Sequence, residues 1–208
     1  MKIGIVGAGM IGGTLGRLWH QAGHEVHFGT RHPEALDGLV KELGARAAAG
    51  TPLEAATFGE VVLLAVPLRA MTELGPAIAE AVRGKVVMDS ANAYAARDGD
   101  AATASDAHPA GSAGWVASFL PGASVVKAWN TVYYKVLAAE AHRGEDRVGI
   151  PLAGDDPAAV ELVERLVRDA GFTPVATGGL AEGKRFEPGT PVYNTGMRAR
   201  ALAERLNR

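Results

Sequence analysis

The sequence contains no cysteine and has almost no excess of either charge. Without cysteine the chain cannot form disulfides, thiolate zinc sites or cysteine nucleophiles. The 21 basic and 23 acidic side chains give a formal net charge of −2, which offers no bulk attraction for a phosphate backbone or an anionic lipid surface. Nucleic acid is therefore not an expected partner.

Long hydrophobic runs are also missing from the sequence. No run approaches the ~20 apolar residues of a membrane span. The opening MKIGIVGAGM is interrupted by glycines and lacks a cleavable signal pattern. We therefore expect a cytoplasmic protein without a membrane partner.

Apolar residues are nevertheless plentiful, at 48% of a 208-residue chain. A chain of this size buries roughly 70% of its unfolded surface, so it can form a stable core without disulfides or metal ions. No internal repeat and no linker divides the sequence. We expect one domain.

Short β-branched runs alternate with longer segments of helical period, which is the pattern of βαβ units around a parallel sheet. Apolar runs too short for helices predict strands at 2–6, 25–28, 60–66, 85–88, 124–127, 148–152 and 173–175. Apolar residues three and four apart predict helices at 12–22, 33–43, 70–82 and 157–170 and a closing helix at 191–206. The segment 45–59 is predicted to be a compact crossover that contains a short helix starting at Thr51 and Pro52.

These elements predict an α/β fold: a Rossmann-type, doubly wound and mostly parallel sheet in a single domain. The core is expected over 1–180, followed by a short C-terminal helical extension over 181–208. The stretch 90–111 is rich in Ala, Asp, Gly and Ser and has no period, so it is predicted to be a long loop. Such a loop is either a solvated excursion or a lid or binding loop.

A GxGxxG motif, formed by Gly7, Gly9 and Gly12, follows the first predicted strand and opens the first helix. The first glycine permits a tight turn, the second lets the backbone approach a diphosphate, and the third allows the helix to lie close to the strand. The helix N-terminus then faces the anion. The motif predicts a dinucleotide site.

The end of the second predicted strand indicates which dinucleotide binds. NAD-specific sites carry an acidic residue there, roughly 20 residues beyond the glycines, to hold the ribose hydroxyls. This chain instead has Gly29, Thr30, Arg31 and His32. A threonine hydroxyl and an arginine fork can both donate to a 2′-phosphate, so Thr30 and Arg31 predict NADP over NAD.

Short segments after three later strands are expected to form the nicotinamide pocket, because ligands lie across the carboxyl ends of a doubly wound sheet. These segments carry Ala65, Val66 and Pro67, then Ser90, Ala91 and Asn92, then Trp129, Asn130 and Thr131. Trp129 either shields one face of a flat ring or packs in the core.

No His–Asp or Ser–His arrangement is readable in these segments, so no catalytic residue is assigned. His20, His24 and His27 do not suggest a metal site.

Only a short segment follows the last predicted strand, so no large helical domain is expected to enclose a substrate. The acceptor site is then shallow, which favours a flat ring stacked on the nicotinamide. A deazaflavin or flavin suits such a site, because hydride transfer between rings depends on positioning and needs no side-chain nucleophile.

The segments GIVGAGMIGGTLG, FGTR, VVKAWNTV and PLAGDDPAAVELVERLVRDAGFTPVATGGL resemble the NADPH-dependent coenzyme F420 reductase family and the related cytosolic oxidoreductase domain of six-transmembrane metalloreductases. The likeness runs from the first strand to Leu180. It implies a single Rossmann domain with an extra C-terminal β-strand region, often a homodimer, that moves hydride between NADP(H) and a deazaflavin or flavin.

The resemblance also implies a set of cofactor-binding residues. It places the 2′-phosphate on Thr30 and Arg31, the diphosphate on Gly9, Met10 and Ile11, and the nicotinamide near Val66, Pro67, Ala91, Asn92, Ala128 and Asn130. In one respect the sequence departs from the pattern. Deazaflavin reducers typically have histidine where Asn130 stands, whereas the metalloreductase branch has asparagine, which leaves the acceptor open.

Our first hypothesis is an NADPH-dependent oxidoreductase that exchanges hydride with coenzyme F420 or a flavin. The second is an NADP-binding sensor or scaffold without catalysis. The third is a reductase of small carbonyls that borrows helices from a dimer partner, and the lack of an evident acid or base disfavours it.

Overall fold

The computed structural model describes residues 1–207. Within them the chain forms an eight-stranded sheet. Its strands are β1 (Lys2–Val6), β2 (Glu25–Gly29), β3 (Ala47–Gly50), β4 (Val61–Leu64), β5 (Val86–Asp89), β6 (Ser124–Lys127), β7 (Gly149–Gly154) and β8 (Thr173–Ala176). The α-helices are α1 (Met10–Gln21), α2 (Asp37–Leu43), α3 (Pro52–Phe58), α4 (Met71–Val82), α5 (Ala95–Asp98), α6 (Asp100–Ala107), α7 (Gly111–Ser118), α8 (Tyr134–Glu140), α9 (Pro157–Asp169) and α10 (Ala199–Leu206).

The strand order is β3-β2-β1-β4-β5-β6-β7-β8. All neighbours pair parallel except β6 and β7, which run antiparallel. The chain builds outward from β1 in one direction and then returns to place β4 on the other side of β1, so the order reverses between these two strands. This topology confirms the doubly wound, mostly parallel sheet, and it puts the switch point of the fold beside the glycine loop.

Two apolar layers cover the two faces of the sheet. Alternate residues of β4 enter different layers: Val61 and Leu63 pack in the cluster that contains Trp19, whereas Val62 and Leu64 pack in the cluster that contains Ile78 of α4. Strands buried on both faces read as continuous apolar runs, which explains why β4 shows no polar alternation. None of the helices within residues 1–207 is long and apolar enough to span a membrane.

The predicted strands are all present, with ends shifted by a few residues, and one strand was missed. β3 has the sequence AAAG, without a β-branched residue, and it pairs with β2 at the sheet edge. Its neighbour α3 was predicted correctly. Thr51 caps α3 through a reciprocal pair of hydrogen bonds with Glu54, the capping box.

The prediction of a long loop over 90–111 is wrong, because this stretch contains α5, α6 and the start of α7. These helices are short and pack through small residues, such as Ala102 and Ser105 of α6. Helix α7 is buried almost all round, from Gly111 to Val116. A helix without a polar face has no amphipathic period, so the pattern gave no signal.

The closing helix predicted over 191–206 begins only at Ala199. Asn194 and Gly196 both adopt positive φ angles, of 55° and 61°, which a right-handed helix cannot contain. The segment before α10 instead follows the sheet, where the amide of Gly149 donates to the carbonyl of Met197 at 2.9 Å.

A charged pair lies in the core where β5 and β6 end. Asp89 and Lys127 are cross-strand neighbours, and both side chains are fully buried. The Lys127 ammonium donates to Asp89 Oδ2 at 2.9 Å, to Ser112 Oγ at 2.9 Å and to the carbonyl of Ala91. These acceptors use all three of its protons. Ser112 extends the network to Glu187. Its hydroxyl donates to Glu187 Oε1 at 2.6 Å, and its backbone amide donates to the same oxygen at 2.9 Å.

We predict that Lys127→Met lowers the free energy of unfolding by about 3–5 kcal/mol, because the buried Asp89 carboxylate loses its counter-charge. Urea denaturation measures the change. The double variant Lys127→Met/Asp89→Asn should recover part of the loss, and Arg165→Met, which removes an exposed charge from α9, should change little. A Lys127→Met protein as stable as the Arg165→Met control would contradict the prediction.

Candidate functional site

The three glycines of the loop between β1 and α1 have different surroundings. Gly7 has φ of +100°, and a Cβ there would overlap the carbonyl of Ala65. A Cβ on Gly12 would overlap the carbonyl of Gly7. At Gly9, by contrast, a Cβ would meet nothing within 4 Å. The first and third glycines are therefore required by the fold itself, whereas Gly9 faces open space.

The loop leads into the N-terminus of α1 without any side-chain cap. Gly9 is the N-cap residue, and the first turn carries no acidic side chain. Met10 is 65% exposed and Ile11 is partly buried. Uncapped amides and the positive end of the helix dipole together favour an anion. The diphosphate site at Gly9, Met10 and Ile11 stays a prediction.

The end of β2 lies beside the glycine loop, because the amide of Gly7 donates to the carbonyl of Gly29 at 2.9 Å. Thr30 and Arg31 follow directly. Thr30 is partly buried and its hydroxyl accepts from the amide of His32 at 3.3 Å. Arg31 is exposed and forms no ion pair with any residue of 1–207. The guanidinium is thus available beside a strand end that carries no carboxylate.

The segments after β4, β5 and β6 meet at the same edge of the sheet. The amide of Ser90 donates to the carbonyl of Leu64 at 3.1 Å, and the amide of Ala128 donates to that of Asp89 at 3.0 Å. Val66 is partly buried and Pro67 is exposed, whereas the side chains of Ala91 and Ala128 are buried, so these two alanines can offer a ligand little besides backbone.

Asn92 and Asn130 are brought together by the structure, as the sequence suggested. The Asn130 amide nitrogen donates to Asn92 Oδ1 at 3.1 Å and to the carbonyl of Phe186 at 3.1 Å. The side-chain amide nitrogen of Asn92 donates to the backbone carbonyl of Asn130 at 2.9 Å. Asn130 Oδ1 is buried and meets no donor within the part of the chain that the structure describes. A buried acceptor without a donor is costly, which fits a pocket completed by a bound group.

Trp129 does not take the role of a shield for a flat ring. Its side chain is fully buried and packs edge-on against Trp19 and Phe172, with ring centroids 5.9 Å and 5.8 Å away. Its φ of 67° turns the backbone between Ala128 and Asn130. Of the two alternatives open for Trp129, core packing is therefore correct.

A tyrosine pair at this edge was missed by the sequence analysis. The Asn92 amide nitrogen donates to the Tyr193 hydroxyl at 3.3 Å, and the Tyr193 hydroxyl is hydrogen-bonded to that of Tyr94. Burial raises the pKa of Tyr193 well above its usual range, and the bond to Tyr94 raises it further. Tyr193 lies in the segment predicted to be helical, where nothing in the pattern connected it with a strand end 101 residues earlier.

Comparison with known proteins relates the residues of this site to those of NADP oxidoreductases. A family model described as NADP oxidoreductase coenzyme F420-dependent matches residues 2–93, which include the glycine loop, the Thr30–Arg31 turn and Asn92. The rat (Rattus norvegicus) metalloreductase STEAP3 is 30% identical over 186 residues, which are 89% of this chain and 36% of STEAP3. The chain spans little more than a third of the length of the curated relatives it matches.

Two solved structures match over nearly the whole chain. The hypothetical protein SMa0349 of Sinorhizobium meliloti is 30% identical, with a TM-score of 0.79 over 95% of this chain and 94% of that one. A protein of Arthrobacter sp. FB24 with the provisional name F420-dependent NADP-reductase is 26% identical, with a TM-score of 0.74 over 88% of this chain and 87% of that one. With its Rossmann-type sheet and glycine loop, this chain is similar to the NADP oxidoreductases described as coenzyme F420-dependent, whose family model matches residues 2–93.

Proposed function

We propose that this chain binds NADP(H) across the carboxyl edge of its sheet and exchanges hydride between it and a flat ring acceptor, the deazaflavin coenzyme F420 or a flavin. The observation that carries the proposal is the end of β2. There the hydroxyl of Thr30 and the exposed guanidinium of Arg31 stand beside the glycine loop without a carboxylate. Such a pair suits a 2′-phosphate and not a bare ribose.

The residues around the loop fit the rest of the dinucleotide. The open space at Gly9 gives a diphosphate room to approach the backbone, and the amides of Met10 and Ile11 belong to the uncapped first turn of α1. At the far end of the edge, Asn92 and Asn130 offer amide groups to the nicotinamide carboxamide. The unpartnered Oδ1 of Asn130 can accept from an N–H of that carboxamide.

When bound, NADPH supplies a hydride from its dihydronicotinamide ring. The protein's part is to orient that ring and to hold the acceptor against it. The strand-end backbone is fixed by the Asp89–Lys127 pair, which bonds both the amide and the carbonyl of Ala91. A rigid edge of this kind maintains the short distance between two rings that hydride transfer needs.

The acceptor is proposed from three sources of support. The family description names coenzyme F420, and so does the Arthrobacter relative. In addition, Tyr94 lies two residues beyond Asn92 and is 38% exposed, so it offers aromatic surface beside the proposed ring site.

Stopped-flow absorbance of NADPH under single-turnover conditions tests the function. We expect NADPH to be oxidised when F420 or a flavin is added and to stay reduced without an acceptor. Tight binding of NADPH with no oxidation by F420, FMN or FAD would favour the sensor or scaffold hypothesis. Oxidation by small carbonyls alone would favour the third hypothesis.

We predict that Arg31→Ala weakens NADPH binding by roughly tenfold to over a hundredfold and leaves NADH binding nearly unchanged. The reason is that a hydrogen bond to a charged group contributes about 1.5–3 kcal/mol and the 2′-phosphate exists only in NADPH. Calorimetric titration with both nucleotides measures the difference. Arg165→Ala is the matched control, and equal weakening of both nucleotides would remove Arg31 from this role.

We predict that Gly9→Val abolishes NADPH binding and leaves the fold intact. The added side chain would occupy the open space at Gly9, which the folded chain does not use and a diphosphate would need. Gly144→Val is the control, because a Cβ at that loop glycine also meets nothing within 4 Å. Calorimetry and thermal unfolding are measured on both variants. A Gly9→Val protein that binds NADPH as the Gly144→Val protein does would place the diphosphate elsewhere.

A further inference from the structure

The tyrosine pair lies at the edge of the sheet where the proposed hydride transfer takes place. The Tyr193 hydroxyl oxygen accepts from the side-chain amide nitrogen of Asn92, a residue that follows the end of β5. The same oxygen is hydrogen-bonded to the hydroxyl of Tyr94. Tyr193 is partly buried and Tyr94 is 38% exposed. The two hydroxyls thus form a short chain from the strand ends toward solvent.

The Tyr94 ring is held in place by its neighbours. The Arg97 guanidinium stacks on the Tyr94 ring at 4.8 Å from its centroid and donates to the carbonyl of Asn92 at 2.7 Å. The amide of Tyr94 donates to the buried carboxylate of Asp98 at 3.0 Å, and Asp98 also pairs with Arg97 at 2.8 Å. This arrangement keeps the Tyr94 hydroxyl against that of Tyr193.

A reduction by hydride also needs a proton. The hydride leaves one negative charge on the acceptor, at a ring nitrogen or a carbonyl oxygen, and a positioned acid can neutralise it. The nearby Lys127 ammonium is unsuited to this task. Lys127 uses its three protons on Asp89, Ser112 and Ala91. Tyr193 has a hydroxyl proton at this edge.

We propose that Tyr193 is the proton donor to the acceptor and that Tyr94 relays a replacement proton from solvent. The inference rests on the proposed function. In the step, the C–H bond of NADPH breaks as the hydride passes to the acceptor, which is reduced as NADPH is oxidised. The O–H bond of Tyr193 breaks as its proton passes to the acceptor atom that carries the charge. Tyr193 then takes the proton of the Tyr94 hydroxyl, and Tyr94 takes one from water.

The hydrogen bonds of Tyr193 favour this role. When Tyr94 donates to Tyr193, the Tyr193 oxygen accepts from both Asn92 and Tyr94, and its own proton is free for a ligand. Burial raises the pKa of Tyr193, so the hydroxyl stays protonated at neutral pH and holds a proton for the acceptor.

Three phenylalanine variants test the relay. In stopped-flow single turnovers with NADPH and F420 or FMN, Tyr193→Phe should lower the rate by roughly a hundredfold to ten-thousandfold. Tyr94→Phe, on the exposed side of the pair, should lower it less. Tyr133→Phe removes a hydroxyl from a 48% exposed tyrosine before α8 and should leave the rate unchanged. Calorimetry should give the same NADP⁺ dissociation constant for all three variants and the parent protein.

A second readout does not depend on turnover. In a protein labelled with ¹³C at tyrosine Cζ, an NMR titration should show Tyr193 ionising above the ordinary range of tyrosine. A Tyr193 that titrates in the ordinary range of tyrosine would overturn the relay, which needs a hydroxyl that is buried at this edge.

The outcomes separate the relay from the function on which it rests. If the parent protein oxidises NADPH with an acceptor and Tyr193→Phe does so equally fast, the relay is wrong and the function stands. If Tyr193→Phe does not fold, an unchanged rate in Tyr94→Phe overturns the relay in the same way. If the parent protein binds NADPH and reduces none of the acceptors, the proposed function fails and the relay with it.

Discussion

The ion pair between Lys127 and Asp89 is the interaction on which the carboxyl edge of the sheet depends. Taking an ammonium and a carboxylate out of water is expensive, and the cost is offset only when both groups find further hydrogen-bond partners. The pair meets that condition by bonding the backbone of Ala91 on both sides and by reaching Ser112 of α7. Two strand ends and a helix are thereby fixed against each other.

The same network draws the C-terminal segment over this edge. Ser112 donates to Glu187, and the carbonyl of the preceding Phe186 accepts from the side chain of Asn130. Tyr193 lies further along this segment and reaches Asn92. The proposed pocket is therefore built from both halves of the chain. Its strand ends are fixed by the Lys127–Asp89 pair, which is buried from solvent.

At the other end of the edge, two glycines of the loop are required by the fold, and the third leaves space for a ligand. Gly7 and Gly12 are excluded from carrying a side chain by the backbone around them, whereas Gly9 is free to carry one in the protein alone. Open space kept at one glycine, next to an uncapped helix N-terminus, is the arrangement expected of a phosphate cradle.

The parts predicted correctly from sequence are those set by local pattern. Apolar runs predicted every strand except β3, whose sequence AAAG has no β-branched residue. GxGxxG and Thr30–Arg31 lie side by side as expected, because both follow neighbouring parallel strands. The parts predicted wrongly depend on tertiary contacts. Helix α7 is buried almost all round and shows no period, and the segment before Ala199 is held by the sheet. Of the two alternatives left open for Trp129, the fold selects core packing. Tyr193 could not be recognised, since only the folded chain brings it to Asn92.

A crystal structure of the protein with NADP⁺ is the most direct test of this account. We expect the diphosphate at Gly9 and the first turn of α1, the 2′-phosphate on Thr30 and Arg31, and the nicotinamide at Asn92 and Asn130. A dinucleotide bound away from the carboxyl edge, or one whose 2′-phosphate points away from Arg31, would contradict the central claim.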